Sequence, residues 1–147
     1  MQDDSSTTPE FKTYEIPDDP SSARAKTVLI LEDDAELAAT LKETLEEQDY
    51  RVTVVPNGAL GVQRVLAHDF DAILCDMVMP NFPGDMFYLA VKRSRPHLCE
   101  RFIFMTGHQG DPKVAEFLEW QKARVLWKPF EMRHLFDALE SVTGRSQ

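Results

Sequence analysis

Residues 71–76 read DAILCD, four consecutive apolar residues followed directly by an acid. An unbroken apolar run of this length is typical of a strand covered by helices on both faces, as in a parallel sheet. Similar runs occur at residues 27–31 (TVLIL) and 101–105 (RFIFM). We therefore predict that residues 71–75 and these two runs are inner strands of an α/β fold.

The same alternation of short apolar runs and amphipathic segments continues along the chain. Residues 51–55 (RVTVV) alternate in polarity, which is typical of an edge strand, and residues 124–127 (RVLW) supply a fifth strand. Between the strands the helical periodicity carries Leu60, Val65 and Leu66 in the second helix and Met86, Leu89 and Ala90 in the third. The helices are predicted at residues 35–47, after the Asn57-Gly58 turn, at residues 84–93, after Asp111-Pro112, and at residues 131–142.

Length and composition limit the classes of function. A chain of 147 residues forms one domain of ordinary size, and 25 acids against 16 bases give a net charge of −9. Direct binding to a nucleic-acid backbone is not expected, because that affinity comes from Lys and Arg. Cys75 and Cys99 are too far apart for a zinc motif or a disulfide framework. No apolar stretch reaches the roughly 18 residues of a membrane helix, so we predict a cytoplasmic protein.

The first 26 residues differ in composition from the rest. Residues 1–26 are acidic and rich in Ser, Thr and Pro, which is typical of a tail, and residues 27–147 form the predicted domain. Within the tail, the segment FKTYEI contains Phe11, Tyr14 and Ile16 as candidates for docking on the domain or on a partner.

Polar side chains collect where the predicted strands end. In an open parallel sheet, ligands bind outside the carboxyl ends of the strands, where the strand order reverses. Carboxylates that meet there repel one another unless a cation neutralises them, and an all-oxygen set favours Mg²⁺. Mg²⁺ commonly shares its site with a phosphate group of a substrate. A Lys and a Thr at the same edge would bind other oxygens of such a phosphoryl group. The residues concerned are Glu32, Asp33, Asp34, Asp76, Thr106 and Lys128.

Four motifs in this order carry a family resemblance. They are LILEDD at residues 29–34, DAILCDMVMP at 71–80, FIFMTGH at 102–108 and VLWKPF at 125–130. With them the chain resembles, from residue 27 to about 142, the receiver domain of two-component response regulators, in its stand-alone, CheY-like form. The resemblance implies a doubly wound, flavodoxin-like sheet of five parallel strands in the order 2-1-3-4-5, flanked by five helices.

The resemblance also implies a role for each motif residue. The donor would be a phosphohistidine on a sensor histidine kinase or a histidine phosphotransfer protein. Asp34 would begin the first helix rather than bind metal. The implied roles are Asp76 as phosphoacceptor, Glu32, Asp33 and Asp76 with the backbone carbonyl of Val78 as Mg²⁺ ligands, and Thr106 and Lys128 as phosphoryl-binding switch residues.

One position departs from the family pattern. Val125 stands where the family usually has an aromatic ring that moves with the Thr, so the usual coupling is in question. Trp127 is predicted on the same side of the strand but is not an established substitute. The Lys128-Pro129 bond is a candidate cis peptide, and His108 is a candidate for controlling water access to the acyl phosphate.

The predicted function is a phosphoacceptor signalling domain that catalyses only its own phosphorylation and dephosphorylation. It would switch a surface that docks a downstream protein target, with no direct nucleic-acid or membrane partner and with a homodimer possible. One alternative is a pseudo-receiver interaction module that is not phosphorylated. Another is an aspartyl-phosphate phosphohydrolase, although Asp76-Met77-Val78 lacks the second acid expected two residues after the nucleophile.

Overall fold

The computed structural model describes residues 25–79, 81–107, 111–121 and 123–144. The FKTYEI segment and His108 lie outside these residues. The described strands form one five-stranded parallel sheet in the order β2-β1-β3-β4-β5, which confirms the predicted fold class. The strands are β1 (Thr27–Leu31), β2 (Arg51–Val55), β3 (Ala72–Asp76), β4 (Phe102–Thr106) and β5 (Arg124–Trp127).

Five α-helices connect or follow the strands, as predicted. One element was not predicted: a 3₁₀ helix at Pro96–Arg101, which Pro96 opens after α3 has ended. Within the described residues, no helix has both the length and the apolar character needed to cross a bilayer. The helices are α1 (Ala35–Glu47), α2 (Gly58–Ala67), α3 (Gly84–Ser94), α4 (Pro112–Gln121) and α5 (Met132–Thr143).

The inner strands contribute side chains to two hydrophobic clusters, one on each face of the sheet. Because neighbouring residues of a strand point to opposite faces, a strand covered on both sides needs apolar residues throughout. This explains the unbroken runs in the sequence. Leu29, Leu31, Ile73, Cys75, Phe102 and Phe104 face α2, α3 and α4, whereas Val28, Ile30, Ala72, Leu74, Ile103 and Met105 face α1 and α5.

The inner face of α2 differs from the one that the leucine spacing suggests. Leu60 and Leu66 are exposed, and of the three apolar residues predicted there only Val65 is buried. The helix contacts the sheet through Gly61, where an added Cβ would lie 2.7 Å from Leu31 Cδ2. A glycine therefore allows α2 to approach the sheet closely and sets which face turns inward.

The inner face of α3 is also shifted from the predicted one. Phe87 and Val91, four residues apart, are fully buried, while Met86 and Leu89 are exposed. Phe87 packs against Phe102 with ring centroids 5.7 Å apart. The large ring and its aromatic partner therefore determine the orientation of α3, because they bury more area than Met86 or Leu89 could.

Strand β3 lies one residue later than predicted, at Ala72–Asp76. Asp71 precedes the strand, and its Oδ2 accepts hydrogen bonds from Thr27 N at 2.8 Å and Thr27 Oγ1 at 3.1 Å. At the other end, Asp76 pairs with Met105 of β4, so it belongs to the ladder rather than to the following loop. The backbone of Asp76 is therefore part of the sheet.

A charged cluster joins elements at the amino ends of the strands. The carboxylate of Asp69 lies 2.6 Å from His97 Nε2, 3.0 Å from an Arg95 guanidinium nitrogen and 3.4 Å from one of Arg101. Arg101 also donates to the carbonyl of Phe70 at 2.7 Å. The cluster therefore ties the loop before β3 to the end of α3 and to the 3₁₀ helix.

Candidate functional site

The polar residues predicted at the strand ends meet at one edge of the sheet, because parallel strands end on the same side. Glu32 and Asp33 follow β1, and Asp76 is the last residue of β3. One carboxylate oxygen from each of these three residues lies within 4.8 Å of the others. The structure thus brings together the three acids predicted to hold a metal.

Lys128 follows β5 and extends into this group of acids. Its Nζ lies 2.9 Å from Glu32 Oε1 and 3.2 Å from Asp76 Oδ2. The Glu32 side chain is 1% exposed, that of Asp76 is 8% exposed, and that of Lys128 is 26% exposed. A buried carboxylate is stable only when it is paired or hydrogen-bonded. The ammonium group of Lys128 forms ion pairs with both Glu32 and Asp76.

The pKa values at this site reflect the competition between burial and pairing. Burial raises the pKa of Glu32, and the hydrogen bonds from Lys128 and from Asp34 N only partly oppose this increase. Burial by itself would lower the pKa of Lys128, but the hydrogen bond to Glu32 and the charge of Asp76 raise it overall. Lys128 therefore stays a cation among the acids.

The Asp76 carboxylate is held from two sides. Its Oδ1 accepts a hydrogen bond from Val78 N at 3.0 Å, and its Oδ2 faces Lys128. Behind its backbone lies Gly84, the first residue of α3, where an added Cβ would be 2.5 Å from the Asp76 carbonyl oxygen. The sequence analysis missed Gly84. The glycine two residues before the first apolar residue of α3 is the signal that could have indicated it.

The adjacent acids Asp33 and Asp34 have different surroundings. Asp34 is the N-cap of α1, where its Oδ1 accepts hydrogen bonds from the backbone N–H groups of Glu36 at 3.1 Å and Leu37 at 3.2 Å. Asp33 is exposed and contributes an oxygen to the acidic group. The prediction that Asp34 begins the helix is therefore confirmed.

Thr106 and Lys128 are joined through the backbone. Thr106 ends β4, is 1% exposed, and its carbonyl accepts a hydrogen bond from Lys128 N at 2.9 Å. The peptide bond between Lys128 and Pro129 is cis, as predicted. The backbone hydrogen bond between Lys128 and Thr106 joins the ends of β4 and β5 beside the acids.

Val125 and Trp127 lie on β5, which is an edge strand of the described sheet. Val125 is half-buried and pairs with Phe104, whereas Trp127 is 37% exposed and pairs with Thr106. Both side chains line a groove of about 500 Å³ between α4 and β5, together with Leu118. They thus share one side of the strand, as their spacing predicts. Val78, by contrast, lies beside Asp76 and is 45% exposed.

The donor set at the strand ends fits a hard divalent cation. Three carboxylates converge without a His or Cys among the grouped residues that the structure describes. With the ammonium of Lys128, they leave a net charge of −2 on the side chains. Oxygen ligands and this charge suit Mg²⁺ better than a softer transition metal.

Comparison with known proteins shows the family to which the chain belongs. The family model for the response regulator receiver domain matches residues 28–140. The response regulator receiver protein CpdR of Brucella abortus is 31% identical over 117 residues, which cover 80% of this chain and 96% of CpdR. The response regulator ArlR of Staphylococcus haemolyticus is 27% identical over 80% of this chain. The chain spans 52% of the length of ArlR, about half.

A solved structure shares the fold. The receiver domain of a sensor histidine kinase from Pseudomonas aeruginosa, solved with a magnesium ion coordinated in its active site cleft, superimposes with a TM-score of 0.74. It is 23% identical, and the match covers 82% of this chain and 99% of that domain. The sheet order, the family match and the relatives all indicate a receiver domain. The chain belongs to the response regulator receiver domain family, the phosphoacceptor signalling domain of two-component systems.

Proposed function

We propose that this receiver domain takes a phosphoryl group from a phosphohistidine donor onto Asp76 and thereby switches a protein-docking surface. The observation that carries the proposal is the position of Asp76, which ends a buried strand with Glu32, Asp33 and Lys128 around it. Phosphoryl transfer needs positioning and charge neutralisation more than covalent chemistry. This arrangement supplies both.

In the proposed transfer, a carboxylate oxygen of Asp76 forms a bond to phosphorus while the bond from phosphorus to the donor imidazole nitrogen breaks. The electron pair of that bond stays with the imidazole. Glu32, Asp33, Asp76 and the backbone carbonyl of Val78 would hold Mg²⁺, which when bound neutralises charge on the phosphoryl oxygens. The hydrogen bond from Val78 N orients the Asp76 side chain for this step.

Lys128 and Thr106 would then hold the phosphoryl group. In the unphosphorylated structure Lys128 contacts both Glu32 and Asp76, so it already lies where negative charge would increase. Thr106 lies at the end of the neighbouring strand and would donate its hydroxyl to a phosphoryl oxygen. A contact made only after phosphorylation shifts the population of conformations near β4 and β5.

As a receiver domain, the protein would act through two kinds of protein partner. A sensor histidine kinase or a histidine phosphotransfer protein would act as donor, a downstream protein would dock on the switched surface, and the domain would be able to form a homodimer. The only reaction catalysed would be the domain's own phosphorylation and dephosphorylation, in the cytoplasm. Residues 1–26 would form the acidic tail and residues 27–147 the receiver domain, consistent with a family match that starts at residue 28.

The test is intact-mass spectrometry of the full chain after incubation with acetyl phosphate and Mg²⁺. We expect wild type to gain the mass of one phosphoryl group and Asp76→Asn to gain none. Asp85→Asn is the matched control, because Asp85 is an acid at the start of α3 whose Oδ1 accepts a hydrogen bond from Met86 N at 2.8 Å. It should gain phosphate as wild type does.

The same experiment separates the alternatives. Phosphate gained by Asp76→Asn would show that the acceptor is a different residue. Continuous release of inorganic phosphate over many turnovers would indicate a phosphohydrolase. Absence of any gain in wild type, with Mg²⁺ binding also absent by calorimetry, would indicate a pseudo-receiver module.

A further inference from the structure

Trp127 lies directly opposite Thr106 in the sheet. The two residues are partners in the parallel ladder between β5 and β4, and neighbouring strands lie about 5 Å apart. Thr106 shares the α4 face of β4 with Phe104, two residues earlier, and Trp127 shares that face of β5 with Val125. The side chains of Thr106 and Trp127 are therefore neighbours on one face of the sheet.

These two neighbours differ in burial. Thr106 is 1% exposed, whereas Trp127 is 37% exposed, although the indole is the largest side chain of β5. Because burying an aromatic ring is strongly favourable, a partly exposed indole gains free energy wherever an apolar space beside it can take the ring.

The groove between α4 and β5 offers such a space. Its volume is about 500 Å³, whereas a cavity of about 150 Å³ is enough to hold a benzene ring. Val125 lies two residues before Trp127 on the same face, about 7 Å along the strand, and its short side chain leaves the groove open. An indole turned back along β5 would lie over Val125 and against Leu118 of α4. Glu119, which lines the same groove, offers an acceptor for the indole N–H.

Trp127 is also connected to the acids at the strand ends. The next residue, Lys128, lies with its Nζ 3.2 Å from Asp76 Oδ2, and its backbone N–H donates to the Thr106 carbonyl. A phosphoryl group on Asp76 would turn the Thr106 side chain toward itself, as proposed above. Since protein interiors are closely packed, a movement of the buried Thr106 side chain changes the space available to the indole beside it.

We propose that Trp127 is a positioning residue that couples Thr106 to the surface formed by α4 and β5. When the Thr106 hydroxyl binds the phosphoryl group, the indole moves into the groove over Val125. This inference rests on the proposed phosphorylation of Asp76. It assigns the moving ring to residue 127 and makes Val125 the floor of the groove. Filling the groove changes the shape of the surface that α4 and β5 present to a partner.

The test is acrylamide quenching of tryptophan fluorescence in the full chain, before and after incubation with acetyl phosphate and Mg²⁺. The chain has two tryptophans, so Trp120→Phe leaves Trp127 as the only one. Intact-mass spectrometry of the same samples gives the fraction of phosphorylated chains. We expect the Stern–Volmer constant, corrected for that fraction, to fall at least about twofold on phosphorylation, because the indole becomes less exposed to solvent.

Further variants in the Trp120→Phe background separate a movement of the ring from a direct effect of charge. Thr106→Ser keeps the hydroxyl and should keep the fall in the Stern–Volmer constant. Thr106→Ala should lose it in the chains that carry the phosphoryl group. Val125→Phe fills the groove and should also abolish the fall, whereas Val125→Ala, its matched control, leaves the groove open and should preserve it.

The outcomes that contradict the inference differ from the one that contradicts the proposed function. An unchanged Stern–Volmer constant in chains that have gained the phosphoryl mass would show that the indole does not move, while phosphorylation itself would stand. A fall of the same size in Thr106→Ala would show that the indole responds to the phosphoryl charge alone. An equal fall in Trp127→Phe, where Trp120 is the only reporter, would assign the change to α4 as a whole. Absence of any gain in mass would overturn the proposed function and this inference together.

Discussion

At the scale of single residues, neighbouring acids with the same side chain have separate tasks. Asp33 contributes an oxygen to the acidic group, whereas Asp34 caps α1. The two side chains are chemically identical, so the position of each in the chain determines its role. The difference follows from the direction of the chain, which leaves β1 and turns into the helix within three residues.

A pair of variants tests this division. Asp33→Asn should weaken Mg²⁺ binding by about tenfold or more, because one charged ligand is lost from the set. Asp34→Asn should bind Mg²⁺ as wild type does, since an Asn side chain caps a helix about as well as Asp. Isothermal titration calorimetry with Mg²⁺ measures both. Equal weakening in the two variants would contradict the separate roles.

Gly84 is the residue that the sequence analysis did not identify. An added Cβ would lie 2.5 Å from the Asp76 carbonyl oxygen and 2.9 Å from Met77 Cα, both of which are backbone atoms that cannot rotate away. The position therefore controls how close α3 comes to the end of β3. At Gly107, by contrast, an added Cβ would have no atom nearer than 3.8 Å.

We predict that Gly84→Ala lowers the free energy of unfolding by about 1–2 kcal/mol, because overpacking outweighs the gain in helix propensity. Gly107→Ala should stay within about 0.5 kcal/mol of wild type. Urea unfolding followed by circular dichroism gives both values. If the two variants have equal stability, the close approach at Gly84 has no energetic consequence.

Much of the site could be predicted from the sequence because it depends on strand ends. Asp76 and Lys128 each follow an apolar run, and parallel strands place such residues at one edge. The contact of Lys128 with Glu32 as well as Asp76 could not be predicted, because it depends on side-chain conformations. The role of Gly84 depends on the distance between two elements, which no local pattern encodes.

At the scale of elements, the turn after α1 shows how one residue ends a helix. Asp49 has φ 68°, and Asp49 N donates to Glu46 O while Tyr50 N donates to Leu45 O. This is the Schellman arrangement, which usually has glycine in the left-handed position. Asp tolerates that conformation but at some cost in free energy.

Replacing this Asp with glycine should therefore stabilise the protein. We predict that Asp49→Gly raises the free energy of unfolding by about 0.5 kcal/mol, because the strain of the left-handed conformation is removed. Gln48→Gly, one residue earlier at φ −100°, should instead lower it by about 0.5–1 kcal/mol. Thermal or urea unfolding measures the two signs. A loss of stability in Asp49→Gly would contradict the strain argument.

The strands could be predicted more fully than the helix faces. Runs such as residues 71–75 are apolar because both sheet faces are buried, and this signal needs no knowledge of neighbours. The inner faces of α2 and α3 depend instead on the approach at Gly61 and on the ring of Phe87. Hydropathy does not mark a glycine as an inner position, so the helical periodicity predicts that Leu60 and Leu66 are buried, although the structure shows both exposed.

At the scale of the whole molecule, stability should depend on pH through Asp69. The hydrogen bond with His97 is the main cause that lowers the pKa of this carboxyl from its ordinary value of 3.8, and Arg101 contributes as well. The folded state therefore favours the carboxylate. The resulting stabilisation is complete above the ordinary pKa and is lost as the pH falls through the lowered one.

We predict that Asp69→Asn is less stable than wild type at neutral pH by under about 1 kcal/mol, since the side chain is half-exposed and screened by solvent. The difference should disappear as the pH falls below the lowered pKa of Asp69. Urea unfolding at several pH values between neutral and strongly acidic measures it. A difference that stays constant over this range would show that the charge of Asp69 contributes nothing.

Because all five described strands run in the same direction, the sheet has an amino edge and a carboxyl edge, each with its own polar cluster. The charged cluster around Asp69 and the acids around Asp76 lie at opposite ends of β3, about 16 Å apart for five residues of strand. Effects of substitutions at that separation usually add. The losses in free energy of unfolding caused by Asp69→Asn and Gly84→Ala should therefore add in the double variant. Substitutions at one edge of the sheet would then change stability independently of substitutions at the opposite edge.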